Sequence, residues 1–276
     1  MRAFDFATVP HIHVQWGGAA RLGELMKGWF PAGRVLVVTD RFLHGSGLLN
    51  EALASLATHG YPAVVFDAVE ADPAESIVRD CVLLATRERA DIVVGLGGGS
   101  SMDVAKVAAA IARSGQPISE AYGIGNLRAG RLSLVQVPTT AGTGSEVTRI
   151  SILTTPESTK LGIVADTLYA DRVLLDASLT VGLPAVHTAA TGIDAMVHAI
   201  EAYTSQHLKN PLSDMLAREA LKLLSGNLLA VCSDGTDADA REAMLLGSML
   251  AGQAFANSPV AAVHAAALPR RTSRRR

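Results

Sequence analysis

Apolar residues along the first two thirds of the chain follow two alternating patterns. Short runs of β-branched residues predict buried strands, and apolar residues at helical spacing predict amphipathic helices. The predicted strands are 34–39, 63–66, 92–95 and 134–137. The predicted helices are 48–59, 75–87 and a segment that ends near residue 113. Continuous apolar strands separated by amphipathic helices indicate a parallel sheet that is covered on both faces.

From about Pro184 onward the pattern is helical throughout. Three segments rich in Ala, Leu and Met have helical periodicity and enclose no predicted strand: 185–203, 211–225 and 241–257. We therefore predict an α/β domain over residues 1–184 and a partial all-helical domain over residues 185–268. The remaining residues, 269–276, form a basic tail of different composition.

Composition narrows the class of protein. The chain has 276 residues, of which 49% are hydrophobic and 18% charged, as is typical of a soluble enzyme rather than a disordered chain. No apolar run reaches the roughly 18 residues that span a bilayer, and the first residues lack the pattern of a signal peptide. Cys81 and Cys232 have no metal or redox spacing, so the cytoplasm is the expected location.

Five of the 24 basic residues lie in the last seven positions, and the rest of the chain is mildly acidic. A basic tail can bind nucleic acid or lipid. No second basic cluster and no aromatic stacking surface accompanies this one. We therefore expect neither a nucleic acid nor a membrane as a partner.

Three glycines separate the predicted strand 92–95 from the following helix: Gly97, Gly98 and Gly99. Glycine lets the backbone approach a pyrophosphate closely, and Ser100 can cap the helix while it donates to the anion. The alternative is a turn that serves only the packing of strand against helix. Asp103, in the first turn of that helix, either complements the helix dipole or faces a nicotinamide ring.

Asp40 closes the strand 34–39, at the edge where open α/β sheets bind ligands. A carboxylate there can accept two hydrogen bonds from a ribose diol and would repel a 2′-phosphate. The alternative is an N-cap for the next helix. The segment 138–146 follows another strand and is rich in hydroxyl groups, which either line a nucleotide cleft or serve the loop itself: Thr139, Thr140, Thr143 and Ser145.

Asp194 and His198 stand four residues apart in an apolar helix, so both side chains can bind one cation. His264 lies 66 residues further along the chain, in another apolar segment. A lone histidine in such a segment is usually a core residue, but three ligand-type groups in two apolar segments favour a metal site. An Asp/His set without cysteine indicates Fe²⁺ or Zn²⁺.

Four motifs together are similar to those of the iron-containing (group III) alcohol dehydrogenase family: GGGSSMDVAK at 97–106, PTTAGTGSE at 138–146, DASLT at 176–180 and ATGIDAMVHAIE at 190–201. The resemblance runs from about Val9 to His264. It implies an NAD-linked, Fe²⁺-dependent oxidoreductase that acts on a small alcohol or aldehyde. It also implies a Rossmann-like amino-terminal domain and a helical carboxyl-terminal domain.

The resemblance assigns roles to individual residues. It implies that the metal ligands are Asp194, His198 and His264. It places Asp40 on the adenosine ribose and the turn from Gly97 to Ser100 on the pyrophosphate. The other residues expected at the cofactor are Asp103, Thr139, Thr140, Thr143, Ser145, Lys160 and Leu179.

The chain departs from the family pattern after His264. Family members continue into a Pro-Leu-Gly stretch and then a Pro-His-Gly segment that supplies a fourth metal ligand, whereas this chain continues as AAALP and the arginine tail. We interpret it as a family member that is truncated or frameshifted after His264. Helices near the end should then be under-covered and promote homo-oligomers, at residues such as Met244, Leu245, Met249 and Leu250.

Two other functions stay open at this stage. A chain that lacks part of its metal site could bind the nucleotide without catalysis. A glycerol dehydrogenase-like or dehydroquinate synthase-like enzyme would share the fold, but the segment 138–146 and the pair Asp194 and His198 argue against it.

Overall fold

The structure is a computed structural model that describes residues 3–259. Its strands are β1 (Ile12–Val14), β2 (Val35–Asp40), β3 (Ala63–Val69), β4 (Ile92–Gly97), β5 (Gly123–Ile124), β6 (Ser133–Pro138), β7 (Ile150–Thr154), β8 (Lys160–Val164) and β9 (Arg172–Leu175). Its α-helices are α1 (Leu22–Lys27), α2 (Arg41–Gly45), α3 (Asn50–Thr58), α4 (Glu75–Arg87), α5 (Gly99–Ser114), α6 (Ile118–Ala121), α7 (Ala185–Thr204), α8 (Pro211–Ser233) and α9 (Ala238–Asn257).

Six strands form one sheet in the order β1-β9-β6-β4-β2-β3, and every pair in it is parallel. Alternate residues of β2 point to opposite faces: Leu36 packs in the core beside α4 and α5, and Val37 packs in the core beside α1 and α3. This confirms the predicted parallel sheet with helices on both faces. All four predicted strands belong to it.

A second, three-stranded sheet has the order β5-β8-β7, with β7 and β8 antiparallel. The sequence patterns did not predict it. Its strands have two to five residues and are only partly buried. In β7, Ile152 (39% exposed) lies between the buried Ser151 and Leu153. Such short half-buried strands give a weak signal beside the continuous strands of the main sheet.

The three long helices α7, α8 and α9 pack on one another, and α8 continues eight residues beyond its predicted end at Ser225. The prediction that the last of these helices leaves four apolar residues under-covered was wrong for three of them. Met244, Leu245 and Met249 are buried because α9 lies in the middle of the helical core. The exposed apolar residues lie instead on the outer side of the helices: Val186, Ile193, Ile200, Leu212, Met215 and Leu229.

Two close contacts join the segment after β6 to the helical part. Gly144 has φ +61°, and a Cβ built on it would lie 2.6 Å from the Cα of Gly252 in α9. A Cβ on Gly142 would lie 2.7 Å from the Cβ of Thr191 in α7. Because both approaches need glycine, the segment 138–146 sits against the two helices at backbone distance. Within residues 3–259, none of the helices combines the length and hydrophobicity needed to cross a membrane.

Candidate cofactor and metal site

The parallel strands of the main sheet bring four predicted segments to one edge. Asp40 ends β2, Gly97 ends β4 and Pro138 ends β6, while Asp176 directly follows β9. The turns are also in contact: the N–H of Thr139 donates to the carbonyl of Gly97 at 3.0 Å. Ligands of parallel α/β sheets bind at this edge.

The three glycines of the turn have different environments. A Cβ on Gly97 would lie 2.6 Å from the Oγ of Ser101, and a Cβ on Gly99 would lie 2.8 Å from the Cγ2 of Thr143. These two positions need glycine for packing within the chain. A Cβ on Gly98 would meet its nearest atom, the Oγ1 of Thr140, only at 3.7 Å. Nothing in the described part of the chain explains why residue 98 has no side chain.

Gly98 is also the N-cap of α5, and no side chain caps this helix. The first turn of a helix presents backbone N–H groups without intrahelical partners, together with the positive end of the helix dipole. Ser100 lies in that turn and is partly exposed. An uncapped helix start beside an open glycine is the arrangement that receives a phosphate group.

Asp40 caps the short helix α2, since its Oδ1 accepts a hydrogen bond from the N–H of Leu43 at 2.9 Å. One oxygen of the Asp40 carboxylate therefore serves as the N-cap that the sequence offered as an alternative. A side-chain methyl of Leu43 lies near Gly97, so that the capped turn is adjacent to the glycine turn. A carboxylate has a second oxygen, and the cap does not conflict with a ribose contact.

Asp103 makes contacts that neither sequence alternative anticipated. Its Oδ1 accepts from the Oγ of Ser145 at 2.6 Å and from the Nζ of Lys106 at 3.2 Å, and its Oδ2 accepts from the N–H of Ile152 at 2.9 Å. The carboxylate thus connects α5 to the segment after β6 and to β7. The sequence signal for this cluster was a lysine among the Ala and Val residues 104–110 of α5.

The hydroxyl groups of the segment 138–146 divide into two sets. Thr140 and Thr143 face Gly98 and Gly99 of the turn. Thr139 is buried, and Ser145 turns inward to Asp103 and Lys106. Both sequence interpretations therefore apply to this segment, since some hydroxyls border the turn and another serves the protein's own hydrogen bonds.

Lys160 and Leu179, the two other predicted cofactor residues, have different surroundings. Lys160, at the start of β8, forms an ion pair with Asp72 at 2.7 Å, on the protein surface. Leu179 follows β9 and packs in the core beside Leu96 and Val137. Leu179 is thus buried near the ends of β4 and β6, and Lys160 is paired with Asp72.

Asp194 and His198 share one side of α7, as their spacing predicts, with 3.9 Å between Asp194 Oδ2 and His198 Nδ1. The His198 ring is buried and stacks on Phe255 of α9, with 4.5 Å between ring centroids. His264 lies outside the described residues. Within residues 3–259, no group of three His, Cys, Asp or Glu side chains could hold a metal ion.

Comparison with known families decides the class. A family profile described as "Iron-containing alcohol dehydrogenase" matches residues 10–177. A second profile, "Fe-containing alcohol dehydrogenase family, C-terminal", matches residues 188–270. The chain belongs to the iron-containing alcohol dehydrogenase family. The parallel sheet and the helical part that follows it are those of this family's fold.

Individual relatives agree with the family assignment. Long-chain-alcohol dehydrogenase 1 of Geobacillus thermodenitrificans (strain NG80-2) is 41% identical over 263 residues, which are 94% of this chain and 66% of that protein. The crystal structure of a 1,3-propanediol oxidoreductase has a TM-score of 0.89 at 36% identity, covering 94% of this chain and 68% of that one. Sulfoacetaldehyde reductase from Bifidobacterium kashiwanohense, in complex with NAD⁺, has a TM-score of 0.89 at 31% identity, covering 96% and 70%. The chain spans about two thirds of the length of these iron-containing alcohol dehydrogenase relatives.

Proposed function

We propose that this chain binds NAD at the glycine turn and functions as an NAD-dependent, Fe²⁺-dependent oxidoreductase of a small alcohol or aldehyde. The observation that carries the proposal is Gly98, whose missing side chain leaves open space at the uncapped start of α5. That space and the free N–H groups beside it fit a pyrophosphate. A similar reductase has been solved with NAD⁺.

The proposed cofactor residues follow from their distance to that turn. Thr140 and Thr143 border it, and Ser100 lies in the first turn of α5. Asp40 is adjacent through Leu43 and would accept from the ribose hydroxyls. We propose NAD rather than NADP because a 2′-phosphate beside this carboxylate would bring like charges together.

The proposed metal residues are Asp194 and His198, with His264 as a third. Carboxylate and imidazole donors suit Fe²⁺, and Zn²⁺ as the alternative. When bound, the metal would polarise the substrate's oxygen as a Lewis acid and so favour hydride transfer between substrate and nicotinamide. In the protein, the His198 ring stacks on Phe255 of α9, and its Nδ1 lies 3.9 Å from Asp194 Oδ2.

Titration of the purified chain with NADH, followed by nicotinamide fluorescence, tests the nucleotide site. We expect Gly98→Ala to weaken NADH binding at least about tenfold, because its Cβ takes the space of the phosphate. Its effect on unfolding should not exceed about 1 kcal/mol, since the backbone there is ordinary and only the helix cap changes. Gly226→Ala is the control, as nothing lies within 4 Å of that position in α8. Equal NADH affinity of the wild type and Gly98→Ala would contradict the proposed site.

A second candidate function is nucleotide binding without turnover. This candidate differs from the first only in whether Asp194, His198 and His264 hold a metal ion. The two candidates differ in one measurement on the same sample. Under the first, Fe²⁺ or Zn²⁺ survives dialysis at one ion per chain and simple aldehydes are reduced with NADH. Under the second, the chain binds NADH and reduces nothing.

The cellular setting and assembly are also proposals. Cys81 and Cys232 are both free thiols, which supports a reducing compartment such as the cytoplasm. The exposed apolar residues on the outer side of α7 support a homo-oligomer. We propose no nucleic acid or membrane partner.

The division into residues 1–184 and 185–268 is likewise proposed, and limited proteolysis near Pro184 would test it.

A further inference from the structure

Helix α5 contains a fully buried lysine. Lys106 has no exposed surface and is surrounded in the helix by buried Ala and Val residues. Burial of an ammonium group costs several kcal/mol unless hydrogen bonds and opposite charges compensate it. Because an apolar residue would fill such a position at lower cost, the contacts of this side chain call for an explanation.

The Lys106 ammonium group has four oxygen acceptors. Its Nζ lies 2.7 Å from Ser145 Oγ, 2.7 Å from the carbonyl of Ile150, 3.2 Å from Thr148 Oγ1 and 3.2 Å from Asp103 Oδ1. The acceptors belong to α5 itself, to the segment after β6 and to the start of β7. One side chain therefore connects the helix of the glycine turn to both of its neighbours.

Two acidic groups balance this charge. Asp103 is in direct contact, and Glu146 is buried close enough to interact with Lys106 electrostatically. Burial lowers the pKa of Lys106, and Asp103 opposes that shift. Burial also raises the pKa of Glu146 to about 7, with Lys106 acting in the opposite direction. Its Oε1 has no hydrogen-bond partner within residues 3–259.

The same cluster borders the residues of the proposed cofactor cleft. Ser145, which both Lys106 and Asp103 hold, lies two residues after Thr143, and Thr143 packs on Gly99. Asp103 holds β7 through the N–H of Ile152. A shift of Ser145 would move the hydroxyl segment relative to the turn, and binding groups displaced by about 1 Å lose much of their effect.

We propose that Lys106 is a positioning residue, whose ammonium group holds the hydroxyl segment and strand β7 against α5 and thereby sets the width of the cofactor cleft. This inference rests on the proposed NAD site and extends it. Lys106 itself would not contact the cofactor. It acts through Ser145 and Asp103, and its effect is on affinity for the nucleotide rather than on the stability of the fold alone.

The test compares Lys106→Met with a matched control, Arg241→Met. Arg241, in α9, is also a buried cation with several oxygen acceptors, including the carbonyl of Gly235 and the Oγ1 of Thr188. Its contacts are near the start of α7 and away from the glycine turn. We expect Lys106→Met to weaken NADH binding at least about tenfold, and Arg241→Met to lower the melting temperature with NADH affinity unchanged. Equal losses of affinity in the two variants would reduce Lys106 to a structural role and overturn the proposal.

Two further measurements keep the result interpretable. Thr148→Val serves as a substitute if Lys106→Met does not fold. It removes one acceptor of the Lys106 ammonium group at nearly constant side-chain volume, and we expect it to weaken NADH binding by only about threefold. Hydrogen exchange without nucleotide should increase at residues 139–152 in Lys106→Met, and near residues 181–188 in Arg241→Met. If the wild type fails to bind NADH, the proposed function fails while the exchange pattern still decides the role of Lys106. Unchanged exchange at 139–152 would contradict it.

Discussion

The two ends of the candidate cleft are built in different ways. At the glycine turn, a buried lysine and an aspartate hold the neighbouring segments through hydrogen bonds of 2.6–3.2 Å. At the helical end, the Asp194 side chain is 42% exposed, and the outer side of the same helix carries Val186 and Ile193 at 78% and 53% exposure. The geometry of the first end is specified by packing within residues 3–259. Changes to this hydrogen-bonded cluster should affect folding and nucleotide binding together, whereas changes at the second end should affect binding far more than folding.

The largest effect is expected at the contact that joins the two ends. Gly144→Val would place a branched side chain at a left-handed backbone position and into the Cα of Gly252. Backbone strain and the clash should together cost about 4 kcal/mol or more, measured as the free energy of unfolding in urea. Gly182→Ala, with no atom within 4 Å, is the control. A loss of less than about 1 kcal/mol in Gly144→Val would show that the two segments are not held at backbone distance.

A second effect concerns the glycine end and its dependence on pH. Burial raises the pKa of Glu146 to about 7 from its ordinary value of 4.5. Between these values the folded protein retains a proton that the unfolded chain has released, so stability falls as pH rises through this window and is level above it. The total change is about 3 kcal/mol. Glu146→Gln should lack this component, so the stability of the wild type relative to this variant should fall between pH 4.5 and about 7 and stay level above that. A constant difference would contradict the raised pKa.

The helical end should show the opposite behaviour, a change in binding with little change in folding. Asp194→Asn should lower the free energy of unfolding by less than about 1 kcal/mol without metal, as expected for a partly exposed side chain. It should also abolish the stabilisation that Fe²⁺ or Zn²⁺ gives, which would be about 2.7 kcal/mol at a metal concentration of 100 Kd. His187→Gln, an exposed histidine on the same helix, is the control. Full metal stabilisation in Asp194→Asn would remove this residue from the ligand set.

The smallest effect on stability is expected on the outer side of α7. Ile193→Glu changes a residue that is 53% exposed, and surface substitutions of this kind shift stability by about 0.5 kcal/mol or less. Self-association should nevertheless decrease, since a charge interrupts the exposed apolar residues. Sedimentation at several concentrations would measure this. Leu229→Glu, on α8 and 82% exposed, is the comparison; an equal decrease there would mean that α7 has no special part in association.

Periodicity in the sequence predicted most of the main sheet but not the small one. The runs that became β2 and β4 are apolar on both faces, and this continuous pattern is unambiguous. Strands such as β1, with three residues, and β8, which starts with a lysine, are too short or too polar for the same signal. They pair with strands from other parts of the chain. A local sequence pattern does not contain that information.

The site could be predicted in outline for a similar reason. The glycine turn and the spacing of Asp194 and His198 are local patterns, and the structure has both where the sequence placed them. The contacts of Asp103 depend on residues more than 40 positions away, at Ser145 and Ile152. Local patterns hold no information about such pairs, so Lys106 was not recognised as a partner of both Asp103 and Ser145.

The contact between Gly144 and Gly252 has a consequence for engineering. Since two backbones meet there without side chains, no rotamer can adjust the distance, and the limit is the van der Waals radius of carbon. Redesign by substitutions along α7 or α9 would therefore have to keep the backbone separation of Gly144 and Gly252 unchanged. A library that samples residues 144 or 252 should be depleted of folded members, because a side chain at either position would overlap the opposing backbone.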